Sequence, residues 1–474
     1  MDRNPSPPPG GSEWEEEVVR GDAIGDTVYS RHWLFSTLLR LIQLVTPKGD
    51  DSDSVETELD EEVESEICKV WDMSMDEDVA VFLQEFNATD ILLGVIGKSK
   101  CPRLTEICVG ILGNMACYKE TCRSITSNEN LVEVLILLLG DTDPPTLLET
   151  SRLILTCLSQ PDMARTWAEQ IDKERSVQEN VCFIMRSSTN SDLLVKVGEV
   201  VDKLFDLDKE LMLSWVAGCK PQPEASGLEQ EEGSELELIP CLLEAARQLR
   251  SDSTEGLEVY MHILQLLTTV DEGIQAIVQS PDRGKETWAL LYEVVRADLC
   301  QADEPAITIE EQAGLLAPTL AVLSALFASH LEADYIKAEE HRILLTILLR
   351  VLLYMEECRK KPREGVRKAS VDQWSVPQPQ PGAPRPKRRE GDVHLTILQE
   401  VCCDFLSELF MEVSKETVCQ GFKDGNLSLE SCSRALRHLL PLHHTQVKRF
   451  HQLLTEVEPD CAERLLLEFP SLKS

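Results

Sequence analysis

The chain has 474 residues, of which 43% are hydrophobic, enough for a large core or for an extended array of repeats. Only 5% are aromatic, so the core must consist of leucine and other aliphatic residues, most of which favour helices. The formal net charge of −37 argues against direct binding to nucleic acid or to an anionic membrane.

Residues 1–30 are rich in proline, glycine and glutamate, which predicts a disordered N-terminal tail. They show neither the basic region nor the apolar stretch of a signal peptide. The apolar stretches at 131–139 and 343–354 are shorter than the roughly 20 residues that a bilayer requires. We therefore expect an intracellular protein without membrane partners, whose 16 cysteines are reduced.

Residues 31–46 predict an amphipathic helix, followed at 47–66 by an acidic linker or, at most, a frayed helix. Within the acidic run, Ser52, Ser54 and Thr57 are candidate phosphorylation sites, because acid-directed kinases prefer such surroundings. The run could also dock on the basic segment described below and mask it. The apolar stripe of the helix consists of Trp33, Leu34, Leu38, Leu41, Ile42 and Val45.

Residues 67–220 predict helical repeats. The segments GILGNMAC (110–117) and RLILTCLS (152–159) match in pattern and lie 42 residues apart. A period of about 40–47 residues is typical of armadillo and HEAT repeats, whose neighbours stack to form one continuous core. The predicted fold class is therefore all-α, an armadillo/HEAT-like helical-repeat solenoid with a disordered N-terminus and inserted flexible loops.

Two helix starts in this region carry the pattern of a capping box, a hydroxyl residue followed three positions later by glutamate. The pairs are Ser74 with Glu77 and Thr146 with Glu149. They predict helices that begin just after Ser74 and Thr146.

The second half of the chain continues the pattern less regularly. A polar loop at 221–236 is followed by further repeats at 237–358, a basic proline-rich linker at 359–391 and C-terminal repeats at 392–474. Residues 342–355 are apolar on nearly every helical face, which predicts a helix in the interior of the array.

The basic linker is a candidate nuclear-localisation signal. Its segments 359–368 and 384–389 carry ten lysines and arginines in a strongly acidic chain. Phosphorylation of Ser370, which follows Arg367 and Lys368, is expected to weaken import. We expect location in the nucleus and cytoplasm and an import receptor as one protein partner, the alternative being a solvated linker without a targeting role. The candidate signal residues are Arg359, Lys360, Lys361, Arg385, Lys387, Arg388 and Arg389.

No motif predicts catalysis, a metal or a cofactor. The stretch LLGVIGKS has Leu92 where a phosphate-binding loop requires its first glycine, and Gly97 is better explained as a helix C-cap. Cysteine and histidine spacings lack a matched zinc pattern, the best cluster being His438, His443, His444 and His451. We expect a protein that is not an enzyme and needs no cofactor.

Asn114 is a candidate peptide-groove residue, because armadillo repeats use an asparagine near this place to bind the backbone of an extended peptide. The aligned residue of the next repeat is Thr156, and no tryptophan lies one turn before either position. A structural or capping role for Asn114 is therefore preferred.

Three stretches, at 71–86, 101–122 and 341–357, resemble the serum amyloid A-like family of synoviocyte-proliferation-associated proteins. The resemblance runs nearly end to end. It implies an armadillo-like fold, nuclear residence and a role in promoting proliferation, notably of synovial fibroblasts under pro-inflammatory stimuli. It carries no catalytic residues. We therefore expect a non-catalytic scaffold or adaptor that binds other proteins, the alternatives being a nuclear transport-type carrier or a metal- or nucleotide-dependent regulator.

Overall fold

The computed structural model describes residues 22–46, 58–218, 237–279, 281–300, 309–329, 336–360 and 390–473. Throughout these ranges the regular structure is helical, and the one β-type contact is an isolated antiparallel bridge between Ala23 and Ser30. The helices belong to two compact units, Met1–Leu249 and Arg250–Ser474. The predicted all-α fold class is confirmed.

The first unit contains twelve described helices, and a thirteenth crosses its boundary. They are α1 (Arg31–Leu44), α2 (Glu61–Met73), α3 (Glu77–Glu85), α4 (Ala88–Ile96), α5 (Pro102–Met115), α6 (Lys119–Ser127), α7 (Glu129–Leu137), α8 (Pro144–Leu158), α9 (Ala164–Lys173), α10 (Ser176–Ser187), α11 (Ser191–Leu207), α12 (Lys209–Ala217) and α13 (Leu238–Asp252).

Nine of these helices form three triplets, each made of two short helices and one longer helix. The triplets are α3–α4–α5, α6–α7–α8 and α9–α10–α11, and their long members have 14, 15 and 17 residues. The long helices pack side by side, α2 on α5, α5 on α8 and α8 on α11. The equivalent helices α5 and α8 begin 42 residues apart, at Pro102 and Pro144. The predicted repeat period is thus the period of the structure.

Both predicted capping boxes are wrong. Ser74 lies at the C-cap of α2, whereas Asp76 is the N-cap of α3 and accepts a hydrogen bond from the backbone of Asp78. In the same way Asp143 caps α8. Aspartate is as good a cap as serine, and the proline that follows Asp143 fixes the first helical turn at an earlier residue.

The acidic linker predicted at 47–66 ends earlier than expected, because α2 begins at Glu61. The Asp60 carboxylate accepts hydrogen bonds from the backbone of Glu62 and Val63, and acidic residues in a first turn favour the positive end of the helix dipole. The buried stripe of α2 starts at Val63. The dense acids that suggested a linker therefore stabilise a helix start.

The second unit contains ten further helices. They are α14 (Thr254–Thr268), α15 (Asp271–Val278), α16 (Pro281–Glu293), α17 (Ile309–Ser329), α18 (Ala338–Lys360), α19 (Glu390–Glu412), α20 (Lys415–Lys423), α21 (Leu429–Leu439), α22 (His444–Val457) and α23 (Pro459–Glu468). Long helices again pack in sequence, α14 on α17, α17 on α19 and α19 on α22. Helix α18 packs on α19, α20 and α21, and Leu344, Leu348 and Leu352 are fully or almost fully buried. The predicted interior helix at 342–355 is confirmed.

Helix α17 is the most apolar of the long helices. Within the described residues, its stretch Gln312–Ser329 is long and apolar enough to cross a membrane, and the bent pair α3–α4 passes the same test only if counted as one span. In the fold, 61% of Gln312–Ser329 is buried. Burial of this degree is also what the core helix of a helical-repeat unit shows.

Candidate functional site

Most of the predicted regulatory residues lie outside the described part of the chain. Arg359 and Lys360 are within the last turn of α18. The residues outside it are Ser52, Ser54, Thr57, Lys361, Ser370, Arg385, Lys387, Arg388 and Arg389. Their roles in localisation and phosphorylation stay predictions.

Asn114 is buried on α5, with 6% of its surface exposed, and its amide joins three neighbouring long helices. Its Nδ2 donates to the carbonyl of Trp71 at 2.9 Å and to the hydroxyl of Ser74 at 3.1 Å, at the end of α2. Its Oδ1 accepts from Nη1 of Arg152 on α8 at 3.1 Å. Both amide hydrogens are used inside the array, so the arrangement supports the structural role and leaves no free donor for a peptide.

Helix α5 carries two glycines that let large side chains of its neighbours lie on its surface. A Cβ at Gly110 would lie 2.2 Å from Cε2 of the Trp71 indole. A Cβ at Gly113 would lie 3.0 Å from Nη2 of Arg152. The glycines at these two positions therefore allow Trp71 from α2 and Arg152 from α8 to approach the backbone of α5 from opposite sides.

Arg152 is held in a fixed orientation although 31% of its side chain is exposed. Its Nη2 donates to the carbonyl of Gly110 at 3.2 Å, and the Glu149 carboxylate lies 2.6 Å from the same nitrogen. Trp71 is also partly exposed beside Gly110. We call Trp71, Gly110, Asn114, Glu149 and Arg152 the Trp–Arg cluster. It presents one aromatic and one cationic side chain on the face of the long helices.

Sequence reasoning missed Trp71 as a member of this site. The asparagine–tryptophan pattern of armadillo repeats has its tryptophan one turn before the asparagine in the same helix, where this chain has Gly110. The indole that covers this place comes from the preceding repeat. The two glycines three residues apart in an otherwise apolar stretch of the helix are the signal that could have revealed it, since such glycines mark close approach of neighbouring groups.

An acidic cleft of about 450 Å³ lies near the N-terminal ends of α2, α5 and α8. Arg103 projects from α5 into it and donates to Glu64 at 2.7 Å and to Glu106 at 2.8 Å. The hydrogen bond to Glu106 raises the pKa of the Arg103 guanidinium, which stays charged. Four carboxylates and one cation line the cleft, so it favours a basic ligand group. Its lining residues are Glu58, Leu59, Glu64, Cys101, Pro102, Arg103, Glu106, Asp143 and Pro145.

The cleft and the Trp–Arg cluster belong to one face. Arg103 reaches back to the sulfur of Cys68 at 3.5 Å, and Cys68 precedes Trp71 by one turn of α2. On α5, residues 103, 106, 110 and 114 follow one another at helical spacing. The face formed by α2, α5 and α8, which we call the long-helix face, therefore runs from the acidic cleft to the cluster.

Among the described residues, no group of three or more His, Cys, Asp or Glu side chains could hold a metal ion. His444 and His451 instead lie within hydrogen-bond distance of the backbone carbonyls of Ser471 and Ala462. Gly97 is the C-cap of α4, as the sequence predicted.

The stacked triplets and the long-helix face define an armadillo-like helical-repeat protein. A solved structure from work on the interaction between cadherin and β-catenin superimposes with a TM-score of 0.51, at 14% identity, over 92% of this chain and 63% of the other. At this identity the likeness shows the fold alone.

The chain belongs to the SAAL1 family. The family described as SAAL1 C-terminal domain matches residues 177–447. Protein SAAL1 of Homo sapiens is 54% identical over 100% of this chain and 99% of its own length, and that of Mus musculus is 52% identical over 100% of both. Protein saal1 of Xenopus tropicalis is 52% identical over 99% of each chain. The expected family resemblance is confirmed.

Proposed function

We propose that this protein is a non-catalytic scaffold that binds a segment of another protein along its long-helix face. The Trp–Arg cluster is the observation that carries this proposal. Tryptophan and arginine are among the residue types most enriched at the centres of protein interfaces. Here both are held by neighbouring repeats before any partner arrives, which lowers the entropy cost of binding.

The chemistry of the face indicates the kind of segment it would take. The acidic cleft, whose lining has four carboxylates and the single cation Arg103, favours a lysine or arginine, while the partly exposed Trp71 favours an apolar or aromatic side chain. Helical-repeat arrays characteristically bind extended segments along such continuous faces. The proposed ligand is therefore an extended protein segment that combines a basic residue with an apolar anchor.

Replacing Trp71 with leucine is expected to reduce partner binding about tenfold, since a central tryptophan commonly contributes more than 1 kcal/mol to an interface. Leucine retains an apolar cover over Gly110 and so limits the loss of stability. Quantitative mass spectrometry of proteins captured from nuclear extract by the tagged full-length chain measures the effect.

The matched control is Phe183→Leu, which changes a 61% exposed aromatic residue of α10, outside the long-helix face. Its captured proteins should equal those of the unchanged chain. Equal losses in both variants, or no loss in either, would contradict binding at the Trp–Arg cluster.

We further propose that the protein acts in the nucleus as well as the cytoplasm and promotes cell proliferation, notably of synovial fibroblasts under pro-inflammatory stimuli. What supports this is the family resemblance together with the basic segments 359–368 and 384–389, which extend in the sequence from the last turn of α18 to the residue before α19 begins. An import receptor is the partner that such segments would recruit.

Changing Lys387, Arg388 and Arg389 together to alanine is expected to lower the nuclear-to-cytoplasmic ratio of a fluorescently tagged chain about threefold or more, because the receptor loses its basic anchors. Ser370→Glu alone should have a smaller effect, since it adds one negative charge near the segment without removing an anchor. A triple variant that remains fully nuclear would show that entry depends on a bound partner or on the helical repeats.

A further inference from the structure

Helix α1 is apolar on two faces. Leu34, Leu38 and Leu41 are fully or almost fully buried and pack the helix onto the rest of the unit. An adjoining face, about 100° around the helix, exposes large apolar side chains at a spacing of four and three residues. They are Phe35, Leu39 and Ile42, with 41%, 44% and 38% of their surfaces exposed. Such a stripe is the geometry that one helix offers to another helix or strand-like segment.

The position of α1 in the array explains why this stripe has no cover among the described residues. Helix α1 packs on α4, α4 packs on α7, and α7 packs on α10, so the four helices form one row. The outer face of α1 is the surface on which a preceding repeat would pack. Terminal repeats of soluble arrays usually carry a polar outer face, which makes an apolar one a signal of a missing element.

The exposed surface continues onto the neighbouring triplet. The ring of Phe86, which is 43% exposed, meets the ring of Phe35 edge-on with a centroid separation of 5.7 Å. We call Phe35, Leu39, Ile42 and Phe86 the end stripe. Its charge is unusual for this chain, since α1 contains Arg31, His32 and Arg40 but no acidic residue. Arg40 is paired with Glu66 of α2, so the positive charge open to an occupant lies at the Arg31 end of the stripe. The end stripe therefore favours an occupant that is apolar and has acidic residues toward that end.

The first described residues of the chain lie close to the start of this stripe. Asp22 accepts hydrogen bonds from the Ser30 hydroxyl and from the backbone of His32, and Arg31 Nε donates to the carbonyl of Ala23 at 2.8 Å. These contacts fix Asp22 and Ala23 at the N-terminal end of α1. Asp22, the first described residue, thus lies at the same end of α1 as the start of the end stripe.

Residues 12–19, with the sequence SEWEEEVV, match the chemistry of the stripe. They lie outside the described residues. Trp14 and Val18 are four positions apart, the spacing that places two side chains on one helical face, and four glutamates accompany them. As a helix, eight residues would extend about 12 Å, and the seven-residue separation from Phe35 to Ile42 covers about 10 Å.

We propose that residues 12–19 pack on the end stripe and complete the end of the array, with Trp14 and Val18 against Phe35 and Leu39. The four glutamates of the segment are then attracted by the positive charge of Arg31 at the start of α1. Residue 19 lies only three positions before Asp22, which is fixed at the N-terminal end of α1. The effective concentration of the segment at the end stripe is therefore on the order of millimolar. A second copy would have to bring two chains of net charge −37 together without that advantage.

The test places the photo-crosslinking residue p-benzoylphenylalanine at position 17 of the full-length chain, which leaves Trp14 and Val18 unchanged. After irradiation of dilute protein and trypsin digestion, crosslinks are expected to the peptide 32–40, which lies between Arg31 and Arg40. Changing Trp14 and Val18 to glutamate should lower the yield about tenfold, because two apolar anchors are lost. Leu39→Gln should lower it, whereas Leu442→Gln, at an 81% exposed leucine of the second unit, should not.

An equal mixture of 14N and 15N chains identifies the occupant. Crosslinks within single chains support the proposal. Crosslinks that join a light chain to a heavy chain would show that a second copy covers the stripe, and the absence of crosslinks to peptides 32–40 and 41–48 would show that residues 12–19 lie elsewhere. Either of the last two results overturns the proposal.

Discussion

Replacing Asn114 with alanine will lower the free energy of unfolding around α2, α5 and α8 by about 2–4 kcal/mol. The substitution removes a donor to the Trp71 carbonyl, which keeps its hydrogen bond from the Ser74 hydroxyl, a donor to the Ser74 oxygen, and the acceptor that orients Arg152. An unsatisfied buried polar group costs about 1–3 kcal/mol, and more when it is charged. The partners of Asn114 belong to the two helices packed on α5, namely α2 and α8, so the loss weakens the contacts between successive repeats.

The control is Thr156→Ala at the equivalent position of the next repeat. The Thr156 hydroxyl donates at 2.8 Å to the carbonyl of Arg152 in its own helix, so its removal leaves the contacts between repeats intact. A change within about 0.5 kcal/mol is expected. Hydrogen–deuterium exchange of peptides from α2, α5 and α8 reports the local free energy and does not require the two compact units to unfold together.

Loss of partner capture by Asn114→Ala with unchanged exchange protection would contradict the structural role. It would mean that the amide is available to a bound segment, as the peptide-groove hypothesis requires. The two roles can be distinguished, because exchange protection is measured in the isolated protein whereas capture is measured only with a partner.

The repeat architecture was predictable from sequence because it depends on local spacing. The 42-residue match between 110–117 and 152–159 identifies two helices that occupy the same place in successive triplets. Helix starts were less predictable, since hydroxyl and acidic residues compete for the same capping position. At Asp76 and Asp143 the carboxylate caps the helix instead of the neighbouring serine or threonine.

The candidate site was predictable only in part because its contacts join residues about forty positions apart. The motif pointed to Asn114, but its role depends on Trp71 and Arg152, which come from the preceding and following repeats. Likewise, the stripe predicted on α1 included both the buried Leu38 and the exposed Ile42. Periodicity shows that such residues are apolar, whereas the position of the helix at the end of a row decides which of them is covered.

Replacing Gly110 with alanine will destabilise the same three helices by about 1–3 kcal/mol, although alanine is normally the better helix former. The new methyl group would meet Cε2 of Trp71 at 2.2 Å, so the rigid indole or one of the helices must shift. Gly94→Ala in α4 provides the matched comparison, because nothing lies within 4 Å of its added methyl group. That substitution should stabilise α4 by about 0.5–1 kcal/mol through the ordinary helix preference.

The double variant Gly110→Ala with Trp71→Leu tests the cause. If the indole is the obstacle, the methyl group should cost less when leucine replaces it, giving a coupling energy of about 0.5 kcal/mol or more between the two sites. Hydrogen–deuterium exchange of α2 and α5 is measured in the unchanged chain, in each single variant and in the double variant. A Gly110→Ala variant as stable as Gly94→Ala would show that the indole moves aside freely, and the Trp–Arg cluster would then lack the fixed geometry on which the proposed binding face depends.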